Sequence, residues 1–336
     1  MDTPPPSAVD EQSLAATVAR AWSIQLDDIR YVPKGVGSYH WEAHRDGRPA
    51  YFITLDDLDT KPWIGRDRDS TFDGLTAAYT TAWVLRHDDG IDAVIAPIRC
   101  DNGAITVRLP DQFSVAVFPF VDGQPGNWGD PIDSDDRTRL LHELAELHAA
   151  HHGRRSGIRH LPHVLPEKDT LLSALGDLDR AWSGGQFAEP ARHALLDSEW
   201  RVRESLARFD DLAARLDGAR REPVVTHGEP HPGNLIRHRY ALLMIDWDTV
   251  ALAEPERDLW MIAEGDDALE AYTQATGRNV DPTAIEYYRL AWTLSDIASF
   301  AGMFRSDHTH TRWIERKWAG FVGLLEGESS RPYGPS

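Results

Sequence analysis

Eleven residues, VDGQPGNWGDP at 121–131, separate two kinds of pattern, and that change constrains the fold more than any other feature of the chain. Before it, short β-like runs at 29–32, 39–44, 50–55, 93–97, 104–108 and 113–120 predict strands, the first three joined by the turn sequences KGVGS and RDGRP. A helix is predicted at about 71–86, and helix-spaced apolar positions occupy 10–22. After it helical periodicity prevails, at about 134–152, 168–180, 190–216, 282–304 and 310–325. The exceptions are 223–226 and a hairpin of 234–238 with 241–246. The expected class is α+β and bilobal: a β-rich lobe with one long helix over 1–120, and a mostly helical lobe over 121–336. The chain has 336 residues, enough for two lobes that each bury a core.

The formal charge of −19 argues against nucleic acid or an anionic membrane as the main partner. It suits a small cationic substrate, and equally an acidic surface that only keeps the protein soluble. Cys100 is the single cysteine, which rules out a disulfide framework or a cysteine zinc site and fits a reducing cytoplasm. No apolar run approaches the roughly 20 residues of a membrane span. The start, MDTPPPSAVD, has neither the basic nor the apolar stretch of a signal peptide. A monomer and a homodimer both fit.

The chemistry gathers in VVTHGEPHPGNL, residues 224–235, and in LLMIDWD, which ends in Asp246 and Asp248. Phosphoryl transfer from ATP needs Mg²⁺ held by hard oxygen ligands and a carboxylate that orients the attacking hydroxyl and accepts its proton. Glu229 lies on the loop, Asn234 at the start of the hairpin's first strand and Asp246 at the end of its second. Antiparallel pairing returns the chain to where it started, so Asn234 and Asp246 would flank one open end and could share a metal. Each also reads as an ordinary turn cap.

THGEPHPGNL followed by LLMIDWDTVALAEPERDLW resembles the aminoglycoside phosphotransferase and choline kinase-like family, most of all its spectinomycin phosphotransferase branch. The resemblance implies a protein-kinase-like fold, Mg²⁺ with ATP or GTP, and transfer to a hydroxyl of an aminocyclitol, an aminoglycoside or a related cationic metabolite. It implies catalytic roles for His227, Glu229 and Asn234, and metal binding by Asn234 and Asp246, with Asp248 as a supporting or second-metal carboxylate. Arg257 and Asp258 would brace the site. Gly35, Gly37 and Ser38 would touch phosphates, and the backbone of Phe118 and Phe120 in VFPFVDG would meet the adenine edge.

Three departures stand against that pattern. The family's catalytic Asp is Glu229 here, one methylene longer. The phosphate-gripping Lys of the third strand would fall at Thr54 in YFITL. Lys34 and Lys61 could reach the cleft instead, though each reads first as a solvated surface lysine. The helix FDGLTAAYTTAWVLR has no Glu to pair with such a Lys; its only acid is Asp73. A catalytically weak or inactive homologue, acting as a binding or regulatory protein, is the competing expectation.

Three other features invite a function. His148 and His152 stand four apart, the spacing of two zinc ligands on a helix. Trp182, Trp200, Trp247, Trp260 and Trp292 could stack on a sugar-like ring, Trp247 foremost. The acidic run EPERDLWMIAEGDDALEAY could attract a polyamine or be a solvated helical face.

Overall fold

Strands β1 (Asp28–Val32), β2 (Ser38–Arg45) and β3 (Arg48–Asp57) follow one another antiparallel. The turn between β2 and β3 is made by Asp46 and Gly47, both at positive φ (54° and 71°), the two-residue geometry that matches strand twist. With β4 (Val107–Leu109) and β5 (Phe113–Pro119) they form a five-stranded sheet in the order β1-β2-β3-β5-β4. The computed structural model describes residues 4–34, 37–155, 157–219, 221–239, 241–262 and 266–327.

Strand alternation sorts the side chains to two faces. Ile53 and Leu55 of β3 join Trp41, Val115 and Val117 against helix α1 (Glu11–Trp22), which contributes Leu14, Val18 and Trp22. Thr54 and Asp56 therefore point the other way, toward helix α2 (Arg68–His87). Asp67 starts α2 with a reciprocal cap, accepting from Ser70 N–H while Ser70 Oγ accepts from Asp67 N–H. The inner face of α2 (Leu75, Tyr79, Ala82) lies in one core with Met244 and Trp247, far along the chain.

The sequence patterns at 93–97 and 104–108 yield little sheet. Residues 93–95 instead dock beside the later hairpin, where Met244 N–H donates to Ala93 O at 2.7 Å and Ile95 N–H to Met244 O at 3.1 Å. Beyond β5 come helices α3 (Ser134–His148), α4 (Lys168–Gly176), α5 (Ala188–Asp197) and α6 (Glu199–Ala219). The continuous helix expected over 190–216 breaks at Ser198, whose N–H turns back to Leu195 O.

Strand β6 (Val224–Thr226) pairs with β9 (Ala251–Ala253), and the hairpin expected between them forms as β7 (Leu235–His238) with β8 (Ala241–Met244). Helices α7 (Glu256–Ile262), α8 (Asp266–Thr276), α9 (Pro282–Arg305) and α10 (Arg312–Glu326) complete the chain. The long α9 is the axis of a second core that gathers side chains from α4, α5, α6 and α10. Among the described residues no helix is long and apolar enough to cross a membrane.

The first acids of the run, Glu254, Glu256 and Asp258, belong to the interior, while Glu270 is exposed. Glu256 and Asp258 are fully buried, and Glu256 pairs with Arg221 at 2.9 Å and accepts from Asp281 N–H. Glu254 bonds His163 and Tyr288. These carboxylates build the lobe, which corrects the expectation of a solvated face or a polyamine attractor for them.

Candidate active site

The loop after β6 is held from beneath. His227 N–H and Gly228 N–H both donate to the buried Asp258 carboxylate, at 2.9 and 2.6 Å. Asp258 is also bonded by His148 Nε2 at 3.1 Å, and His148 Nδ1 meets the Tyr272 hydroxyl at 2.7 Å. Burial works to raise the pKa of Asp258, but the bond and charge of His148 hold it below the ordinary value. Gly228 has φ +99°, and a Cβ there would lie 2.2 Å from Arg257 Nη2. Arg257 in turn donates to Thr226 Oγ1 at 2.8 Å and to Thr249 O at 2.9 Å. Asp258 thus binds the loop backbone itself, while Arg257 packs under Gly228 and ties Thr226 to Thr249. His148 is engaged in this bracing, and the His152 N–H donates to Asp89, so the pair does not converge as zinc ligands.

His227, expected to be catalytic, is placed where it holds the loop rather than facing the cleft. It is fully buried, with Nε2 donating to Ile245 O at 2.9 Å and Nδ1 accepting from Glu229 N–H at 3.2 Å. Burial lowers its pKa, so it stands neutral with both nitrogens engaged.

Glu229, Asn234 and Asp246 meet at the hairpin's open end. Asn234 Nδ2 donates to Glu229 O at 3.0 Å, and Ile245 N–H donates to Asn234 O at 3.0 Å. The amide nitrogen is thereby turned to the loop, and Ile245, the residue paired across from Asn234, leads directly into Asp246. Asp246 adopts a left-handed backbone (φ 66°, ψ 64°) that turns its side chain outward to the cleft. The surrounding protein, and after it the charges of Asp248 and Glu229, raise its pKa although the side chain keeps an exposed face. Asp246 crowded by Asp248 and Glu229 could hold a divalent cation. Among the described residues no three His, Cys, Asp or Glu side chains form a ready metal cluster.

The opposite wall is built differently. Lys61, two per cent exposed, corrects the surface reading: its Nζ lies 2.6 Å from Asp248 Oδ2 and 3.1 Å from Asp56 Oδ1. Burial alone would lower its pKa, but Asp248 and Asp56 raise it, so it is charged. Asp56 receives Ser38 Oγ at 2.7 Å and the Tyr79 hydroxyl of α2 at 2.9 Å. Tyr79 therefore stands where a helix Glu was expected, and Asp248 is a partner of Lys61 in this structure. Thr54 Oγ1 faces His40 Nδ1 at 3.3 Å. Lys34 Nζ donates to Gln124 Oε1 at 3.0 Å.

Of the expected nucleotide contacts, Gly35 lies outside the described residues. Gly37, at φ +82°, stands over the lysine: a Cβ on it would be 3.9 Å from Lys61 Nζ. Phe118 packs edge-on against Tyr79. The Phe120 N–H donates to Ala50 O at 3.1 Å, and residue 119 is proline, so neither N–H is open to a ligand and the expectation for Phe120 narrows to its carbonyl.

An aromatic wall flanks Glu229. Trp128, 41% exposed, stacks on Trp292 (centroids 5.2 Å apart, planes at 10°) and meets His231 edge-on at 4.8 Å, with Trp260 behind. Trp247, the indole singled out in the sequence, is fully buried and donates to Met244 O. Trp182 is in the core and Trp200 is exposed on α6. Trp128 carried no signal because it lies in the Gly- and Pro-rich break, where neither period applies.

The phosphotransferase enzyme family profile matches residues 55–302. Protein StrN of Streptomyces griseus is 30% identical over 278 residues, 78% of this chain and 80% of that protein. Spectinomycin phosphotransferase APH(9)-Ia, solved with ADP and spectinomycin, superposes with TM-score 0.73 at 18% identity, covering 95% of this chain and 98% of that one. The GDP and kanamycin complex of an APH(2") enzyme superposes with TM-score 0.59 at 17% identity, covering 94% and 98%. At such identities the likeness is one of fold: α+β, bilobal and protein-kinase-like.

Proposed function

The chain belongs to the phosphotransferase enzyme family, and on that premise we propose that it transfers the γ-phosphoryl of ATP or GTP to a hydroxyl of a cationic aminocyclitol, aminoglycoside or related metabolite. The observation that carries the reading is the junction of Glu229, Asn234 and Asp246, fixed by the Asn234–Glu229 and Ile245–Asn234 bonds. Residues 1–120 form the nucleotide lobe and 121–336 the lobe of the catalytic loop and acceptor. The solved relatives hold nucleotides together with spectinomycin or kanamycin, which supports the substrate class.

Asn234 and Asp246 would hold Mg²⁺, with Asp248 beside them. Bound there, the ion supplies positive charge against the phosphate oxygens. Glu229 orients the acceptor hydroxyl and takes its proton. The hydroxyl oxygen bonds to the γ-phosphorus as the bond from that phosphorus to the β–γ bridging oxygen breaks, and the electron pair leaves with the nucleoside diphosphate. The extra methylene of Glu229 is offset by its loop, in which Pro230 and Pro232 fix the turn and His231 Nε2 stands 3.8 Å from Glu229 Oε2. Trp128 and Trp292 offer a flat face to the ring of the acceptor.

Calorimetry with ATP and GTP, each with and without Mg²⁺, tests the reading. We expect Mg²⁺-dependent binding that Asp246→Ala abolishes. No binding at millimolar nucleotide would overturn it and leave a binding or regulatory protein without turnover.

A further inference from the structure

We propose that Lys61 is this chain's phosphate-gripping cation, delivered from the loop after β3 rather than from the strand, and held by Asp248 until a nucleotide takes that acid's place. The inference rests on the phosphotransferase reading and adds the residue on which the nucleotide's phosphates close.

Position comes first. Lys61 Nζ is bracketed by the two features a metal-bound polyphosphate must span: the glycine turn at Gly37 and the acid pair after β8, through Asp248 at 2.6 Å. No other lysine stands there among the described residues: Lys34 points to Gln124, Lys168 pairs with Asp210 and Lys317 lies over Phe300 and Trp313. The aim of the side chain is also built. Asp56, from the cleft face of β3, accepts from Lys61, Ser38 and Tyr79 at once, so the acid that seats the ammonium is itself fixed from a strand and a helix. The indole of Trp63 covers Lys61 at 5.8 Å, and the Trp63 carbonyl accepts from Arg159 in the helical lobe. The carrying loop is therefore tied to both walls of the cleft.

Chemistry then explains why strand position 54 is free to be Thr. A lysine at Thr54 would point to the same face as Asp56 and compete with Lys61 for one carboxylate. One buried ammonium with two carboxylates is compensated, whereas two ammonium groups there would leave charge uncompensated in a buried site. The absent helix Glu follows from the same arrangement, because the acid has moved to the strand and the helix needs only a neutral donor, Tyr79.

The test uses the full chain and calorimetry with adenosine, AMP and ADP. In Lys61→Met, ADP affinity should fall about 10- to 100-fold, the value of a lost charge-assisted bond, with adenosine changed less than about 2-fold. Thr54→Lys added to Lys61→Met should recover most of the ADP affinity, a rescue that a merely structural lysine does not allow. A thermal melt confirms that each variant folds, and Lys61→Gln, able to bond both acids without charge, replaces Met if that variant does not. ADP affinity equal to wild type in either folded variant overturns the role of Lys61 and leaves the kinase reading intact. Equal losses for adenosine and ADP also overturn it, since they mark a general collapse of the cleft. Absence of ADP binding in the wild-type chain overturns both.

Discussion

The two walls of the cleft are held by different forces. On the helical side, geometry rules: Asp258 takes two successive backbone N–H groups, Arg257 fills the space where a Gly228 Cβ would be, and Asn234 is bonded through backbone on both sides. On the sheet side charge rules: Lys61, Asp56, Asp248, Ser38 and Tyr79 form a web of side chains in which partners overlap. A backbone-bound wall tolerates few substitutes, because each residue type is dictated by φ or by a donor count. A charge-bound wall needs only a cation at one point in space, and any segment that reaches that point can supply it.

This contrast can be broken by experiment. The largest effect is expected on the rigid wall in turnover. Glu229→Asp should lower kcat about 100-fold, because a loop shaped for the longer acid leaves the shorter one roughly 1 Å short. A rise in kcat would show that the loop never adjusted to Glu. Next, Gly228→Ala should destabilise the fold by about 2–5 kcal/mol, from a positive φ and the Arg257 clash together, read as a drop in denaturation midpoint. An unchanged midpoint would mean that Arg257 can leave at little cost, and the wall is not rigid.

The charge-bound wall should give more gently. Asp56→Asn should cost only about 1–2 kcal/mol, since Lys61 keeps Asp248 and the amide oxygen still accepts from Ser38, while the amide nitrogen can donate to the Tyr79 hydroxyl oxygen. A loss as large as that of Gly228→Ala would erase the distinction. The smallest effect concerns acid. Enclosure drives the pKa of His40 from 6.5 to about 4, against the attraction of Asp56. Its folded pKa is depressed, so its contribution is complete above 6.5 and is lost as pH falls toward 4, where the unfolded chain binds the proton first. His227, also depressed by burial, adds to the same limb. His40→Gln should therefore lose less Tm than the wild type between those pH values, and a parallel decline would place the titration elsewhere.

The contrast also explains what could be read from the sequence. The loop and hairpin were legible because backbone demands leave fixed spacings: Gly228 for its φ, Asn234 five residues after Glu229, Asp246 after an apolar strand. Most of the sheet and most helices were legible from periodicity; the runs at 93–97 and 104–108 were exceptions, and so was Ser198, a single buried serine that breaks α5 from α6 without altering the apolar pattern. Lys61 was legible only as one of two lysines that could reach the cleft, and it read first as a surface residue. A lysine between Thr60 and Pro62 looks solvated, and only the fold reveals that its loop turns under Gly37. Glu256 misled for the same reason, since its partner Arg221 lies 35 residues away, whereas Asp258 was expected to brace the loop and does so.

Helix α2 follows the third strand in the chain, yet Leu75, Tyr79 and Ala82 share a core with Met244 and Trp247 from the far end of it. Cutting the chain near residue 120 would not release two stable halves: the N-terminal fragment would expose the inner face of α2, and the C-terminal fragment would lose the cover of Trp247. In native-state hydrogen exchange the amides of α2 should then open together with those of β8, while α1 and the outer strands open by themselves. The protein would come apart along a seam running through its sheet-side lobe, and the short segment after β3 that carries Lys61 crosses that seam.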